Sequence, residues 1–262
     1  MIKLIATDMD GTFLDSNKQF SPEFIDIFYQ LKERGIKFVI ASGNQYYRLY
    51  QKFLPLSDQM YFIAENGCYI AKGATELYHN TISNANVNQI IAVLQDHPQL
   101  PVIMCGRKGA YILDKNKSYE SLVKLHYCNY QFVSSYDQID DEIMKISIND
   151  PEGKIEEKLA LVKPRLPEEV KIVTAGNIWM DVHNKEINKG IGMRFLQAIY
   201  EIEPDECMAF GDQMNDYELL QQVKYGYAMA NAVDPIKEIA YGITLSNDEQ
   251  GVIVKIKEVL GL

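Results

Sequence analysis

Two carboxylates stand one residue apart near the start of the chain, in the run IKLIATDMDGTFLD (Ile2–Asp15). An apolar, strand-like stretch ends abruptly at Asp8 and Asp10, and Gly11 and Thr12 follow at once. Residues i and i+2 of a strand share a face, so a strand running through both would bring Asp8 and Asp10 close together. Like charges at that range repel, and a bound cation is the usual way to make them tolerable. Gly11 lets the chain turn sharply where a Cβ would clash. The pattern is not an EF-hand, because the fifth and sixth positions hold Thr12 and Phe13. Nor does a glycine-rich nucleotide loop follow the strand.

Three other places could carry chemistry. Ser42–Gly43 follows the apolar run IKFVIA and precedes a helical stretch, where a hydroxyl and backbone N–H groups make an anion site. Ordinary turn and cap chemistry accounts for Ser-Gly equally well. Lys189, in INKG, opens a helix against its dipole, which an anionic partner would explain; a plain surface lysine is the simpler alternative. AFGDQMND repeats the opening logic, with Asp212 ending a strand and Asn215 and Asp216 starting a helix. A cap needs one such residue, so three around one turn point to metal and anion work.

The elements that must position these residues alternate at both ends of the chain. LIATD reads as a strand, SPEFIDIFYQLKERG as a helix with Ser21 as N-cap and Pro22 at its first position, IKFVIAS as a strand, and YYRLYQKFLPL as a helix. MYFIAENG reads as a third strand. The same texture returns after Ile187. Apolar strands alternating with helices predict an α/β fold, a doubly wound parallel sheet. Between them the texture changes. A helix over SNANVNQIIAVLQDH precedes a hairpin around Arg107–Gly109, the strands QFVSS and MKISIND, a helix over GKIEEKLALVKP, and a second hairpin turning at Gly176–Asn177. This predicts an α+β domain at residues 83–186 inserted into a core formed by 1–82 and 187–262.

In all, 262 residues with 47% hydrophobic and 24% charged side chains describe an ordinary globular chain. The net charge of -10 offers no basic footprint for nucleic acid or an anionic membrane. Cys68, Cys105, Cys128 and Cys207 lie far apart with no CxxC pair, which argues against zinc or a disulfide framework and suits a reducing cytoplasm. The expectation is a cytoplasmic protein without signal peptide or membrane span, a monomer or weak homo-oligomer.

DMDGT, ASG, NKG and GDQMND, in that order, resemble the four motifs of the haloacid-dehalogenase-like (HAD) phosphohydrolase superfamily. ENG (Glu65–Gly67), AMANA (Ala228–Ala232) and SNDEQGV (Ser246–Val252) extend the resemblance to its Cof-type sugar-phosphatase group, which carries a large α+β cap between the second and third motifs. The resemblance implies a Rossmann-like HAD core and a Mg²⁺-dependent phosphatase acting on small phosphorylated metabolites such as sugar phosphates. Asp8 would be the nucleophile, passing through an aspartyl-phosphate, and Asp10 the general acid and then base. Repulsion from Asp8 would help keep Asp10 protonated. Mg²⁺ would be held by Asp8, the backbone carbonyl of Asp10, and Asp212. Ser42 and Lys189 would bind the phosphoryl oxygens, assisted by the N–H groups of Met9 and Gly43 and by Asn215, with Asp216 and Asn66 in support. Many Cof-type members carry Arg where this chain has Asn44, and an amide lacks that cationic fork. The inserted domain would close over the site, with Arg107, Lys108, Tyr111 and Trp179 as candidate pocket residues, although hairpin-tip charge and packing explain each of them singly. His126 and His183 read as structural. A phosphotransferase or mutase, or a non-catalytic phosphometabolite-binding protein, are the alternative readings.

Overall fold

The computed structural model describes residues 1–175 and 177–262, so Gly176 of the expected turn lies outside the described residues. The chain opens with β1 (Leu4–Thr7), α1 (Phe24–Glu33), β2 (Lys37–Ala41), α2 (Tyr46–Lys52), β3 (Tyr61–Ala64), β4 (Tyr69–Lys72) and β5 (Thr75–His79). It continues through α3 (Asn84–Gln95), β6 (Val102–Gly106), β7 (Ala110–Leu113), α4 (Glu120–His126), β8 (Tyr130–Val133), β9 (Ile143–Asn149), α5 (Ile155–Val162), β10 (Val170–Ala175) and β11 (Trp179–Asn184). The last run is α6 (Lys189–Tyr200), β12 (Cys207–Gly211), α7 (Tyr217–Gln221), β13 (Tyr225–Ala228), α8 (Asp234–Ile239), β14 (Gly242–Ile243) and α9 (Gly251–Leu260). Two compact units result: Met1–Leu77 with Asn188–Leu262, and Tyr78–Ile187.

The first unit is built on a sheet ordered β14-β13-β12-β1-β2-β3-β4-β5. The pairs from β14 through β3 are parallel, and β4 returns antiparallel to β3. Every residue of β1 and β12 is buried, as central strands covered on both faces require. From β1 the chain builds outward through β2 on one side and later returns to β12 on the other. That reversal makes the carboxyl ends of β1, β2 and β12 a topological switch point, where open α/β sheets bind ligands. In α1, Phe24, Ile27, Phe28 and Leu31 are buried at helical spacing. Phe24 packs edge-on against Phe13 at 4.7 Å and beside Phe38 at 4.8 Å, anchoring the loop after β1 to the core.

The second unit holds a sheet ordered β10-β11-β9-β6-β7-β8. Its pairs are antiparallel except β7 with β8, and both expected hairpins are present as paired strands. Alternate residues separate two apolar clusters: Val102 and Met104 of β6 belong with Ile90 and Ile155, whereas Ile103 and Cys105 belong with Val123 and Tyr127.

Two expectations are corrected. Helix α1 begins at Phe24 rather than Pro22; Ser21 contributes its carbonyl to the Phe24 N–H (3.0 Å), and no side chain caps the helix at Glu23. The third strand ends at Ala64, because Glu65, Asn66 and Gly67 adopt left-handed φ values of 51°, 57° and 101° and turn the chain back into β4. Side chains avoid that region, and it persists where surrounding contacts over-determine it. A Cβ at Gly67 would stand 2.3 Å from the Asn188 carbonyl oxygen, so this turn is locked against the residue that caps α6. Gly67→Ala is expected to cost about 2 kcal/mol or more and lower the Tm by roughly 4–8 °C. An unchanged thermal melt would show that the turn relaxes without cost.

Candidate active site

Each strand at the switch point delivers one loop. β1 ends at Thr7, so Asp8 and Asp10 lie in the turn beyond it rather than on one strand face. The same-face expectation therefore fails, and the two carboxylates go to different partners.

Asp8 is buried, and its Oδ1 accepts a hydrogen bond from Lys189 Nζ at 2.6 Å. The same ammonium donates to Asp216 Oδ1 at 2.6 Å. Lys189 is 0% exposed and opens α6, whose first turn is capped by the Asn188 side chain accepting from the Ile191 N–H (2.9 Å). Burial pushes the Lys189 ammonium down, but the Asp216 and Asp8 charges and hydrogen bonds outweigh it and hold it above its ordinary range. Asp216 is fixed by its other oxygen, which accepts the N–H groups of Asp212 (3.0 Å) and Gln213 (3.1 Å). Asp212 accepts from the Thr12 hydroxyl at 2.7 Å and from the Gln213 amide at 3.2 Å. Gly11, at φ 85°, lies so close that a Cβ there would stand 2.6 Å from Asp212 Oδ2. The turn after β1 and the turn after β12 thus interlock through Gly11, Thr12 and Asp212.

Asp8, Asp212 and Asp216 form one cluster in which one carboxylate oxygen of each lies within 4.8 Å of the other two. Three carboxylates against one ammonium leave two uncompensated negative charges when all are ionised. Burial is accordingly the largest influence raising Asp8 well above 3.8, with Lys189 opposing and Asp216 and Asp212 adding to the rise. Asp212 is raised as well, first by burial. A hard divalent cation fits this donor set in charge and in ligand type. Asp216 is the most heavily engaged of the three, one oxygen on the Lys189 ammonium and the other on two backbone N–H groups, whereas Asp212 is held only by the neutral Thr12 hydroxyl and Gln213 amide, so Asp8 and Asp212 are the better-suited ligands.

Asp10 stands outside that cluster. Its Oδ1 accepts from Lys18 Nζ at 2.8 Å and its Oδ2 from the Asn44 amide at 2.8 Å. Burial pushes the Asp10 carboxyl up, but the Lys18 hydrogen bond and charge, then Asn44 and the charge of Arg48, more than offset it and hold it below its ordinary value. The expectation that Asp8 keeps Asp10 protonated is therefore overturned: its neighbours are donors, and both favour the anion.

The loop after β2 brings Ser42 and Gly43 to the same end of the sheet. Ser42 is buried, and its hydroxyl oxygen accepts from the Asn44 N–H (3.1 Å) and the Asn44 amide (2.9 Å). Arg48, one turn further on, donates to Asn44 Oδ1 at 3.3 Å. The Asn66 amide lies directly against Gly43, its backbone N–H donates to the Ser42 carbonyl (3.1 Å), and its Oδ1 accepts from Asn215 at 3.4 Å. Met9, buried between Asp8 and Asp10, offers its carbonyl to the N–H groups of Phe13 and Leu14, closing the turn.

The pocket candidates of the second unit find partners within it. Arg107 pairs with Glu142 at 2.6 Å, Lys108 Nζ donates to the Asp140 carbonyl at 2.6 Å, and the Tyr111 hydroxyl donates to Asp141 at 2.9 Å. Trp179 stacks edge-on with His126, ring centroids 5.0 Å apart. His183 is fully buried, which pushes its imidazole down to about 4 and keeps it neutral. Thr12, Lys18 and Arg48 belong to the site but carried no role in the sequence reading. Thr12 sits inside DMDGT; Lys18 and Arg48 occupy a polar turn and a helix face that no spacing distinguishes.

The family model for haloacid dehalogenase-like hydrolases matches residues 5–256. The chain belongs to that family, and it is an enzyme of the family's phosphatase kind. It is 32% identical over 261 residues to a protein of Escherichia coli (strain K12) named 5-amino-6-(5-phospho-D-ribitylamino)uracil phosphatase YbjI, covering 99% of this chain and 96% of that one. It is 27% identical to phosphatase YwpJ of Bacillus subtilis (strain 168), covering 99% of this chain and 100% of the relative. The solved structure of SMU.1108c from Streptococcus mutans UA159 superposes with a TM-score of 0.90 at 30% identity, each chain covered completely.

The charge excess predicts how a cation affects stability. Asp8 and Asp212 are raised in the folded state, so the fold binds more protons than the unfolded chain above 3.8, and stability falls as pH rises through that window. A cation on the ionised pair reverses the loss. With Mg²⁺ as probe, the rise in Tm over chelator-treated protein should grow as pH increases from the ordinary carboxylate range toward neutrality. A pH-independent rise, or none, would mean that the cation does not meet these carboxylates.

Proposed function

We propose that the protein is a Mg²⁺-dependent phosphomonoesterase that hydrolyses small phosphorylated polyhydroxy metabolites through an aspartyl-phosphate on Asp8. The observation that carries this reading is the anchoring of Asp8 through one oxygen by a buried lysine, within a cluster of three carboxylates around that single ammonium. Such an anchor fixes the direction of the second oxygen, which is what in-line attack on phosphorus requires. Sugar phosphates and the phosphoribityl compound named for the E. coli relative share one reacting group, a phosphate ester of an alcohol on a polyhydroxylated chain.

In the first half-reaction an Asp8 carboxylate oxygen attacks phosphorus and the bond from phosphorus to the leaving oxygen breaks. The leaving oxygen takes that electron pair and a proton from Asp10. In the second, water attacks the phosphorus, Asp10 takes a proton from it, and cleavage of the acyl-phosphate bond restores the Asp8 carboxylate and releases inorganic phosphate. Asp10 rests as an anion beside Lys18, so the first half-reaction needs a proton that arrives with the substrate, as its monoanion supplies. Lys189, Ser42 and the N–H groups of Met9 and Gly43 would hold the phosphoryl oxygens, and Asn215 and Asn66 would support them. Asp8, the Asp10 carbonyl and Asp212 would hold Mg²⁺, whose charge offsets the repulsion between a carboxylate nucleophile and a phosphate. Residues 83–186 would act as the cap that selects the leaving group. The proposed setting is the cytoplasm, whose reducing conditions suit four cysteines (Cys68, Cys105, Cys128 and Cys207) spread far apart in the sequence with no CxxC pair.

Assays on a panel of alkyl phosphates with Mg²⁺ should give phosphate release that chelator abolishes. Asp8→Asn should lower kcat by about 10⁴-fold or more. Full turnover by that variant would overturn the assignment.

A further inference from the structure

The loop between Gly11 and Phe20 is held from two sides. From within, Phe13 and Phe20 anchor its ends, Phe13 against Phe24 and Phe20 against Phe53 at 5.4 Å. From outside, three polar side chains of the C-terminal part of the chain bind its length. Asn231 donates through Nδ2 to the Gly11 carbonyl at 2.8 Å, and its Oδ1 accepts the Asn247 N–H at 3.1 Å. Asn247 in turn donates through Nδ2 to the Leu14 carbonyl at 2.9 Å. Asp248 accepts the Ser16 N–H at 2.7 Å with one oxygen and the Ser16 hydroxyl at 2.8 Å with the other. Asn231 and Asp248 are exposed, and an exposed hydrogen bond adds little to stability because water competes for both partners. Of the four bonds made to the loop, three go to its backbone, so they fix the path of the chain.

That path ends in Lys18. Asp15 folds the tip by accepting the N–H groups of Asn17 (2.9 Å) and Gln19 (2.8 Å). Lys18 adopts a left-handed φ of 60°, a costly conformation for a side-chain-bearing residue that persists where neighbours impose it. Its carbonyl accepts from Lys52 Nζ at 2.6 Å, and its own ammonium reaches Asp10 Oδ1. Asn44 holds the other Asp10 oxygen. The Asp10 carboxyl is thereby gripped on both sides, and one grip depends on the splinted loop.

We propose that Asn231, Asn247 and Asp248 are positioning residues for the phosphatase reaction: by splinting the loop from Gly11 to Lys18 they hold Asp10 in the orientation from which it gives its proton to the leaving oxygen. The inference rests on the reading of Asp10 as that proton donor. It gives a function to AMANA and SNDEQGV, segments to which no chemistry was otherwise attached.

Leaving-group dependence tests it. As the bond to phosphorus breaks, an alkoxide needs the proton from Asp10, whereas 4-nitrophenolate departs with little help. The reading is kcat/KM, which covers steps up to formation of the aspartyl-phosphate, for an alkyl phosphate and for 4-nitrophenyl phosphate. In Asn231→Ala and in Asp248→Ala the alkyl value should fall on the order of 10-fold or more, while the aryl value stays within about 3-fold. Ser16→Ala, which removes a single hydroxyl, should shift the ratio in the same sense by less. Equal losses on both substrates, or no loss on either, would overturn the proposal. If wild-type protein turns over neither ester, the phosphatase reading fails instead, so the two failures are distinguishable.

Discussion

The site depends on one ammonium sealed away from water. Lys189 is 0% exposed, and it joins Asp8, just beyond β1, to Asp216, in the turn after β12. Dehydrating such a charge costs several kcal/mol, and two carboxylates at 2.6 Å offset that cost. Losing one partner of a buried pair typically costs about 3–5 kcal/mol, because the other is left uncompensated. The first requirement on the fold is therefore that the ends of β1 and β12 and the start of α6 meet at one point. Adjacency of β1 and β12 in the sheet provides it, together with the Gly67 turn packed on the Asn188 carbonyl.

The same arrangement sets the chemistry. One lysine cannot neutralise three carboxylates, so the pocket is built short of positive charge. Burial first, and the neighbouring carboxylates after it, raise the proton affinity of Asp8 and Asp212, and a cation would offset both. Asp10 lies on the other side of the turn, where Lys18 and Asn44 reverse the balance and favour its anion. Two aspartates one residue apart in sequence thus live in opposite electrostatic settings. Such a division suits the proposed roles, Asp8 as nucleophile and Asp10 in proton transfer.

Much of this was legible from residue types. Apolar runs ending in Asp8, Ser42 and Asp212 gave away strands that finish at a shared edge, and the change from alternating strands and helices to hairpins marked the middle segment as different in kind. Lys189 at a helix start hinted at an anionic partner, but a surface lysine was the simpler reading until the family motif was set beside it. Other features follow from contacts between residues distant in the chain. Lys18 and Arg48 sit among ordinary polar residues, and the loop path that carries Lys18 to Asp10 is fixed by side chains more than two hundred positions away. Glu65 and Asn66 follow directly on the apolar run MYFIA, and nothing in their residue types marks the left-handed backbone that ends the strand there. The orientation of Asp10 was misjudged because the strand stops at Thr7 and the rule that neighbours two apart share a face stops with it.

The proposed acceptor of the phosphoryl group is Asp8. Rapid acid quenching during turnover, followed by proteolysis and mass spectrometry, reads it directly. One added phosphoryl group is expected on the peptide containing Asp8, and none in Asp8→Asn protein. A phosphoryl group on any other residue, or none while the first turnover proceeds, would contradict it.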